Sequence, residues 1–246
     1  MRSKKVVAIL PARWGSTRFP GKPLHVIAGK PLIQHVWERC GRAKTLDRVI
    51  IATDDMRIAE AAFEFGAEVS MTSPKHQSGT DRVAEVAARL RGVSHILNVQ
   101  GDEPLIEPKL VDKLAKTLLA SSREVEMITA ANVFAPDEDT ANPNAVKVVL
   151  DANSDALYFS RSLIPFARDA ASRVPRLRHQ GIYGYSANLL QNFVKWKPTA
   201  LEQTEQLEQL RALEHGVKIR VVITTHASIG VDSPDDVPTV ERLLSS

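Results

Sequence analysis

Short apolar runs alternate with stretches of helical periodicity in the first half of the chain. The pattern predicts strands at residues 6–10, 48–53, 67–72 and 95–100, and helices at 31–43, 56–65, 80–91 and 108–120. Alternating strands and helices favour an α/β fold with a mostly parallel central sheet, right-handed crossovers and flanking helices on both faces. Ligands bind such sheets beyond the carboxyl ends of the strands. We therefore expect functional residues in the loops that follow these strands.

The pattern changes after residue 121, where predicted strands follow one another without long helices between them. These strands are at 127–134, 145–151, 156–161 and 181–187. Their succession predicts a smaller antiparallel extension of the sheet. Helices at 188–196 and 200–215, a strand at 217–225 and a last helix from Pro234 complete the pattern. Because no repeat, low-complexity tract or linker interrupts it, residues 1–246 are predicted to form a single domain.

The composition is that of an ordinary globular chain. It has 246 residues, 43% of them hydrophobic, and a formal net charge of +3. Its basic residues are scattered and form no stripe with interleaved aromatics, which argues against nucleic acid as a partner. The apolar run at 6–10 is too short for a secretory signal, and no run approaches the roughly 20 apolar residues of a membrane span. With Cys40 as its one cysteine, the chain is predicted to be cytoplasmic, with no membrane insertion.

The loop after the first predicted strand is rich in cations. Arg13, Arg18 and Lys22 lie there together with Gly15 and Gly21. Glycine lets backbone N–H groups turn inward, arginine grips oxygens in a fork, and lysine supplies a compact charge. The loop therefore suits a polyphosphate. The alternative is a basic loop that is merely solvated.

Carboxylates follow two other predicted strands. Asp102 comes directly after the strand that ends in NVQG, and Asp232 follows a strand and a glycine in SIGVDSP. A magnesium site beside phosphates needs only one or two protein carboxylates, because water and phosphate oxygens fill the other positions. Both aspartates are therefore candidate Mg²⁺ ligands. Asp232 has an alternative role, since an aspartate before Ser-Pro is also a common helix-start residue.

The segment HQSGTDR lies between the third predicted strand and a helix. Ser78, Gly79 and Thr80 could donate hydrogen bonds to a nucleotide, with Arg82 pointing back from the first helical turn. Alternatively the segment only caps the helix, with Thr80 as the N-cap. Val83 at the third helical position would then provide no acidic partner for a capping box.

Three other polar features are ambiguous. His76 is interpreted as a surface residue. Arg161 could pair with the carboxylate of a substrate, but an exposed strand-end arginine contributes little. The segment LEQTEQLEQLR at 201–211 is predicted to be largely a solvated helical face over a leucine core.

Taken in order, nine segments of the chain resemble one enzyme family. They are PARWGSTRFPGKPL, ATDD, HQSGTDRVAE, NVQGDEP, NAVKVVLD, ALYFSR, GIYGY, LEQLRALEHG and GVDS. The resemblance is to the 3-deoxy-manno-octulosonate (Kdo) cytidylyltransferases of bacterial lipopolysaccharide synthesis, and it runs through the whole chain. CMP-sialate synthetases and other sugar nucleotidyltransferases share the opening loop, whereas HQSGTDR, LEQLR and ALYFSR narrow the resemblance to this family.

The resemblance implies a Rossmann-like nucleotidyltransferase fold, a homodimer and Mg²⁺ as cofactor. The implied substrates are CTP and an acidic octulosonate sugar. CMP would pass from CTP to the anomeric hydroxyl of Kdo with release of pyrophosphate, which activates Kdo for lipopolysaccharide synthesis. Residues 155–190 would form a sugar-side and dimer extension.

The resemblance also assigns site residues by matching position. Nucleotide binding falls to Ala12, Arg13, Ser16, Thr17, Arg18, Lys22, Ser78, Gly79, Arg82, Gln100 and Gly101. Sugar binding falls to Gln100, Arg161, His179, Tyr183, Glu208 and Gln209. Asp102 and Asp232 would hold the metal, and these two with Arg13 and Lys22 would be the catalytic residues.

The exact sugar stays open, because Leu163 stands where the family usually has proline, and the sugar-side strand also varies. The 8-amino analogue of Kdo and the CMP-sialate synthetase reaction are the enzymatic alternatives. A protein that binds CTP without catalysis is the non-enzymatic one. A glycosyltransferase would place Asp-x-Asp after a core strand, whereas 137–139 lie in a predicted loop. A dinucleotide dehydrogenase would carry G-x-G-x-x-G after the first strand, which this chain lacks.

Overall fold

We describe a computed structural model of the chain that covers residues 4–15, 19–121, 124–169, 174–227 and 229–245. Ser16, Thr17 and Arg18, which the sequence assigns to the nucleotide, lie outside these described residues. In the described part of the chain no helix is both long and apolar enough to cross a membrane.

The described elements alternate as the sequence predicts over the first half. The strands are β1 (Val6–Ala12), β2 (Val26–Ile27), β3 (Lys30–Pro31), β4 (Arg48–Thr53), β5 (Glu68–Met71), β6 (His95–Asn98), β7 (Met127–Val133), β8 (Lys147–Leu150), β9 (Ala156–Ser160), β10 (Leu177–Ser186) and β11 (Ile219–Thr224). The helices are α1 (Leu32–Gly41), α2 (Met56–Glu64), α3 (Gly79–Arg89), α4 (Pro108–Ala120), α5 (Ala187–Phe193), α6 (Ala200–Glu205), α7 (Gln209–Glu214) and α8 (Val237–Leu244). Short 3₁₀ turns span Lys22–Leu24 and Pro234–Asp236.

The central sheet has the strand order β11-β7-β10-β6-β1-β4-β5. All neighbours in it run parallel except β10, which is antiparallel to both β6 and β7. Beside this path, β8 pairs antiparallel with β10 and with β9. The predicted α/β class is thus confirmed. The antiparallel extension is smaller than predicted, because β7 and most of β10 belong to the central sheet and only β8 and β9 extend it.

The apolar side chains of β1 point alternately to the two faces of the sheet, and helices cover both faces. Val6, Ala8 and Leu10 pack into a core with α1 and α4, whereas Val7 and Ile9 pack into a second core with α3 and α5. All five side chains are fully buried. A strand buried on both faces is a near-continuous apolar run, as parallel sheets require. The carboxyl end of β1 is thereby held rigidly at the edge where the cationic loop begins.

Two helix predictions are wrong in detail. The single helix predicted at 200–215 is divided into α6 and α7, because Gln206 adopts a left-handed conformation with φ 53° that ends α6. The N-cap of α3 is Ser78 and not Thr80. Ser78 accepts from the backbone N–H of Asp81, and the Asp81 carboxylate accepts in return from the N–H of Ser78, so the capping box is complete.

Candidate functional site

A cleft of about 250 Å³ opens at the carboxyl ends of β1 and β6. Its walls come from the end of β1, the turn after Gly21, the N-terminus of α3 and the loop after β6. The lining includes Ala12, Arg13, Lys22, His76, Ser78, Gly79, Arg82, Gln100, Gly101, Asp102 and Asp232. The structure thus brings together every described residue that the sequence assigns to the nucleotide or the metal.

Close contact between two loops shapes the floor of this cleft. A side chain at Gly101 would place its Cβ 2.8 Å from the carbonyl oxygen of Pro11 and 3.0 Å from Cδ1 of Ile33. Only glycine lets the loop after β6 lie against the end of β1 at this distance. Gly101 therefore sets the separation between the cationic loop and Asp102.

Lys22 joins three segments of the cleft. Its Nζ donates to Oδ2 of Asp102 at 2.6 Å and to the carbonyl oxygen of Val231 at 2.8 Å. The N–H of Val231 in turn donates to the carbonyl oxygen of Asp102 at 2.9 Å. Gly21, with φ 70°, begins the turn that presents Lys22. These contacts hold Asp102 and Asp232 on one wall although they are far apart in sequence.

The donor set at this wall fits a magnesium ion. Asp102 and Asp232 supply two carboxylates, and among the described residues no group of three or more His, Cys, Asp and Glu side chains is placed so that it could hold a metal ion. Magnesium beside phosphates uses one or two protein carboxylates and completes its shell with water and phosphate oxygens. Asp236 accepts a hydrogen bond from the backbone N–H of Asp232 at 2.9 Å and so supports that residue. Burial raises the pKa of Asp236, but hydrogen bonds of this kind outweigh burial and hold the pKa below its ordinary value.

Arg82 is buried in the cleft wall, with 4% of its surface exposed. Its guanidinium lies 3.1 Å from Oδ2 of Asp54 and also donates to Oγ1 of Thr72. A buried arginine that is only partly paired in this way retains N–H groups that can face a ligand. Asp54, directly after β4, thus helps to fix the guanidinium of Arg82 in the cleft wall.

His76 lines the cleft, which sequence reasoning missed. Its Nε2 contacts Oε2 of Glu85, which also accepts from the backbone N–H of Ser73 at 2.9 Å. These contacts lower the pKa of Glu85, the largest cause being the N–H of Ser73, so that Glu85 is ionised beside His76. The spacing of His76 and Glu85 carries no recognisable signal, since their contact depends on the turn between β5 and α3.

A second cavity of about 230 Å³ lies on the other side of the two aspartates. Its lining consists of Asp102, Glu103, Arg178, His179, Gln180, Gly181, Gly230 and Asp232. The metal-binding candidates therefore belong to both cavities. The two cavities meet at Asp102 and Asp232, which can face ligands bound on either side.

His179 stands in an apolar surrounding at the edge of this second cavity. Its ring packs against Phe159 and Tyr183 with centroids 5.1 Å and 5.4 Å away, and its Nε2 lies 3.0 Å from Oγ1 of Thr129. Burial lowers the pKa of His179 to about 3. The imidazole is thus neutral at neutral pH and acts as a hydrogen-bonding group without charge.

A third cavity, of about 750 Å³, extends from the N-terminus of α3 to the α6–α7 break. It shares Gln77, Ser78, Gly79 and Gln100 with the first cleft, and it includes Glu208 and Arg211. Oε2 of Glu208 accepts from Oγ1 of Thr80. Burial raises the pKa of Glu208, although Thr80, Arg211 and Ser78 oppose the shift. Glu208 therefore faces a cavity and does not belong to a solvated helical face.

Three predicted sugar-side residues are absent from the linings of these cavities. Gln209 is 5% exposed, and its Nε2 makes no hydrogen bond within the described structure. Tyr183 packs between His179 and Tyr185, and burial raises its pKa. Arg161 donates from its guanidinium to the carbonyl oxygens of Glu205, Pro143 and Gln206. Their assignment to the sugar stays a prediction.

The fold and the site define a nucleotide-dependent transferase. A mostly parallel α/β sheet carries a cationic cleft at its carboxyl edge, and two carboxylates connect that cleft to a further cavity. Switch-point clefts of this kind bind nucleotide phosphates. The charges suit a reaction at a phosphate, in which positive groups face oxygens that gain negative charge.

Comparison with known proteins gives the family. Residues 7–219 match the family model described as cytidylyltransferase. The chain is 52% identical to the 3-deoxy-manno-octulosonate cytidylyltransferase of Geobacter sulfurreducens, over 97% of this chain and 99% of that protein. It is 49% identical to the enzyme of the same name from Myxococcus xanthus, over 99% and 98%. The chain belongs to the cytidylyltransferase family, as its motifs predict, and its relatives within that family are 3-deoxy-manno-octulosonate cytidylyltransferases.

Solved structures agree with this placement. A CMP:2-keto-3-deoxy-manno-octonic acid synthetase complexed with CTP matches with a TM-score of 0.93 and 41% identity, over 98% of this chain and 99% of that one. A cytidylyltransferase from Leptospira borgpetersenii matches with a TM-score of 0.68 at 19% identity, over 99% and 87%, and shares the fold. The predicted nucleotidyltransferase architecture is thereby confirmed.

Proposed function

We propose that this enzyme transfers CMP from CTP to the anomeric hydroxyl of Kdo, with release of pyrophosphate. The observation that carries the proposal is the position of Asp102 and Asp232, which line both the cationic cleft and the cavity beside His179. A reaction between a nucleoside triphosphate and a sugar acid needs one group of charges that faces both substrates. Close relatives named for the Kdo reaction support this choice of substrates.

The nucleotide side positions the triphosphate. Arg13 and Lys22 hold its phosphate oxygens, while Ser78, Gly79 and Arg82 contact the nucleotide from the N-terminus of α3. The sugar oxygen attacks the α-phosphorus, a new phosphorus–oxygen bond forms, and the bond to the bridging oxygen of pyrophosphate breaks in line with the attack. Fixed positive groups lower this barrier because charge accumulates on the phosphate oxygens.

The sugar side orients the acceptor. Gln100 lies between the nucleotide cleft and the third cavity, and Glu208 offers a carboxylate to sugar hydroxyls there. His179 is too weak a base at neutral pH to remove the hydroxyl proton, because its pKa is about 3. We assign Arg161, Tyr183 and Gln209 to the same substrate by family position, and we name no side chain as general base.

We also propose Mg²⁺ as the cofactor, which Asp102 and Asp232 would hold. When bound there, the ion would supply positive charge against the phosphate oxygens and would lower the pKa of the sugar hydroxyl. The hydroxyl proton passes to solvent water as the new phosphorus–oxygen bond forms. Lys22 holds Asp102 in place through its 2.6 Å contact.

The proposal also includes the setting of the enzyme. We place it in the cytoplasm, where CTP is made, as a homodimer that activates Kdo for lipopolysaccharide synthesis. Exposed apolar side chains of the 155–190 region, among them Leu157 and Phe166 with 62% and 86% of their surface exposed, support a subunit contact there. Aromatic side chains such as that of Phe166 are enriched at protein interfaces.

The test is pyrophosphate release from CTP and Mg²⁺ in the presence of Kdo, its 8-amino analogue, sialic acid or no sugar. We expect release with Kdo and none without an acceptor. Preference for the amino sugar would keep the reaction and change the substrate. CTP binding without pyrophosphate release in all four reactions would contradict catalysis and indicate a nucleotide-binding protein.

A further inference from the structure

Lys147 is a lysine without solvent contact. Its side chain in β8 is 0% exposed, and Nζ donates to the carbonyl oxygens of Asn142 at 2.8 Å and Arg161 at 2.7 Å. Lysine is rarely buried in this way, because an ammonium group loses its hydration. Burial lowers the pKa of Lys147, while the nearby charges of Asp139 and Glu205 oppose that shift. An ammonium that is costly to bury and that lines none of the three cavities described above indicates a structural or positioning role.

The position of Lys147 in the sheet connects it to the sugar side. In the strand register it lies opposite Ser160 of β9 and opposite Arg178 of β10. The residue before it, Val146, accepts a hydrogen bond from the N–H of His179 at 2.9 Å. Lys147 thus lies next to both Arg161, which directly follows β9, and His179, which belongs to β10.

Glu205 holds the same main chain from the opposite side. Its carboxylate accepts from Oγ of Ser160 at 2.6 Å and from the N–H of Arg161 at 2.9 Å. The backbone at 160–161 is therefore fixed twice, by a carboxylate on its N–H and by an ammonium on its carbonyl oxygen. Such paired contacts remove rotational freedom that a single hydrogen bond would leave.

The contacts continue from this backbone to the α6–α7 break. Nε of Arg161 donates to the carbonyl oxygen of Glu205 at 2.7 Å, and another of its nitrogens donates to that of Gln206 at 3.3 Å. These are terminal carbonyls of α6, which have no partner within the helix and favour a cation. Glu208 follows two residues later and faces the third cavity.

We propose that Lys147 is a positioning residue for the sugar-side half of the site. Its ammonium fixes the backbone at Arg161. It positions His179 through Val146, and it positions Glu208 through the end of α6. It touches neither substrate. Its ammonium determines where these three side chains stand, and so it affects acceptor binding more than CTP binding.

The inference rests on the proposed function, and the test separates the two. The variant Lys147→Met keeps a long apolar stem and removes both hydrogen bonds to the carbonyls. We expect the KM for Kdo to rise by about tenfold to a hundredfold, since a shift of about 1 Å in positioning groups has effects of this size. The KM for CTP should stay within about twofold of the unmodified enzyme.

A matched control is Lys113→Met. Lys113 also donates from Nζ to a backbone carbonyl, that of Ile223 at 2.7 Å, but on the exposed side of α4. We expect both KM values to be unchanged in this control. Circular dichroism and thermal unfolding of each variant show whether the fold persists.

Each outcome has one meaning. If the unmodified enzyme releases no pyrophosphate with Kdo, the proposed function fails. If it does, and folded Lys147→Met changes both KM values equally or neither, the positioning role is overturned. If Lys147→Met does not fold, the variant Glu205→Gln tests the positioning role instead. A higher KM for Kdo with an unchanged KM for CTP supports that role. Any other pattern in the folded variant overturns it.

Discussion

The two halves of the site that we propose for this enzyme, the nucleotide cleft and the sugar side, are built in different ways. The nucleotide cleft uses loops that directly follow β1 and β6, where short turns around Gly21 and Gly101 present Lys22 and Asp102. The sugar side depends on contacts between distant segments, such as that of Thr80 with Glu208, which are 128 positions apart. Rigid parallel strands supply the first surface, whereas antiparallel strands and a broken helix supply the second. The halves should therefore respond differently to substitution.

The largest expected effect lies where the two halves meet. Asp102→Asn removes a carboxylate from the wall that both cavities share, together with the ion pair to Lys22. We expect turnover to fall by about 10² to 10³, the scale for loss of one preorganised charged group. The fall should appear in kcat, so that more Kdo does not restore it. The measurement is steady-state pyrophosphate release at saturating Mg²⁺.

Asp137→Asn is the matched control, because Asp137 is an exposed aspartate in the turn after β7. It belongs to the Asp-Glu-Asp run that a glycosyltransferase would use for its metal. We expect unchanged turnover in this variant. Near-normal activity of Asp102→Asn at saturating Mg²⁺ would refute its assignment to the metal.

The nucleotide half could be predicted from sequence because its information is local. Arg13 and Lys22 lie within one loop, Gln100 to Asp102 follow one strand, and the carboxyl ends of parallel strands meet at one edge. The only tertiary fact needed is that β1 and β6 are neighbours, and the β–α alternation favours such an order. His76 was interpreted as a surface residue because its contact with Glu85 depends on the fold of an irregular turn.

The second prediction compares two glycines, one on each side. Alanine at Gly101 places Cβ 2.8 Å from the backbone oxygen of Pro11, whereas alanine at Gly181 meets only Cγ of Gln100 at 3.7 Å and Oε1 of Glu103 at 3.9 Å. Gly101→Ala should lower the free energy of unfolding by about 1–3 kcal/mol, because backbone must move to relieve the contact. Gly181→Ala should change it by about 0.5 kcal/mol or less.

Urea denaturation of the two alanine variants measures this difference. Equal losses of stability would show that the loop after β6 has room to shift. The conclusion that the nucleotide half is tightly packed would then be wrong. Gly181 lines the cavity beside His179, so a higher KM for Kdo with normal stability would sharpen the contrast further.

The sugar half could not be predicted to the same extent, for physical reasons. The helical periodicity of 201–211 is genuine, but Gln206 breaks it without glycine or proline, and the cationic guanidinium of Arg161 stabilises the exposed carbonyls at that break. Lys147 is buried although lysine is ordinarily a surface residue. In both cases Arg161, from a segment outside the local pattern, supplies a compensating contact, so the local pattern does not predict it. The family resemblance supplied Glu208, whereas the periodicity alone placed it on a solvated face.

The smallest expected effect concerns Glu208 and the pH. Burial raises the pKa of Glu208 above its ordinary value of 4.5. Between that value and the raised one, the folded state binds more protons than the unfolded state, so this residue lowers the free energy of unfolding as the pH rises.

Glu208→Gln keeps the shape and an oxygen that can accept from Thr80, but it cannot ionise. The variant should therefore gain stability relative to the unmodified enzyme as the pH rises above 4.5 through the raised pKa of Glu208, while it binds Kdo more weakly. Urea denaturation at a series of pH values from about 4.5 upward measures this, and Glu124→Gln, at a side chain 75% exposed, controls for the loss of a charge. A stability difference that is constant with pH would contradict a buried, ionisable Glu208, and the sugar side would then resemble the open nucleotide cleft in its access to water.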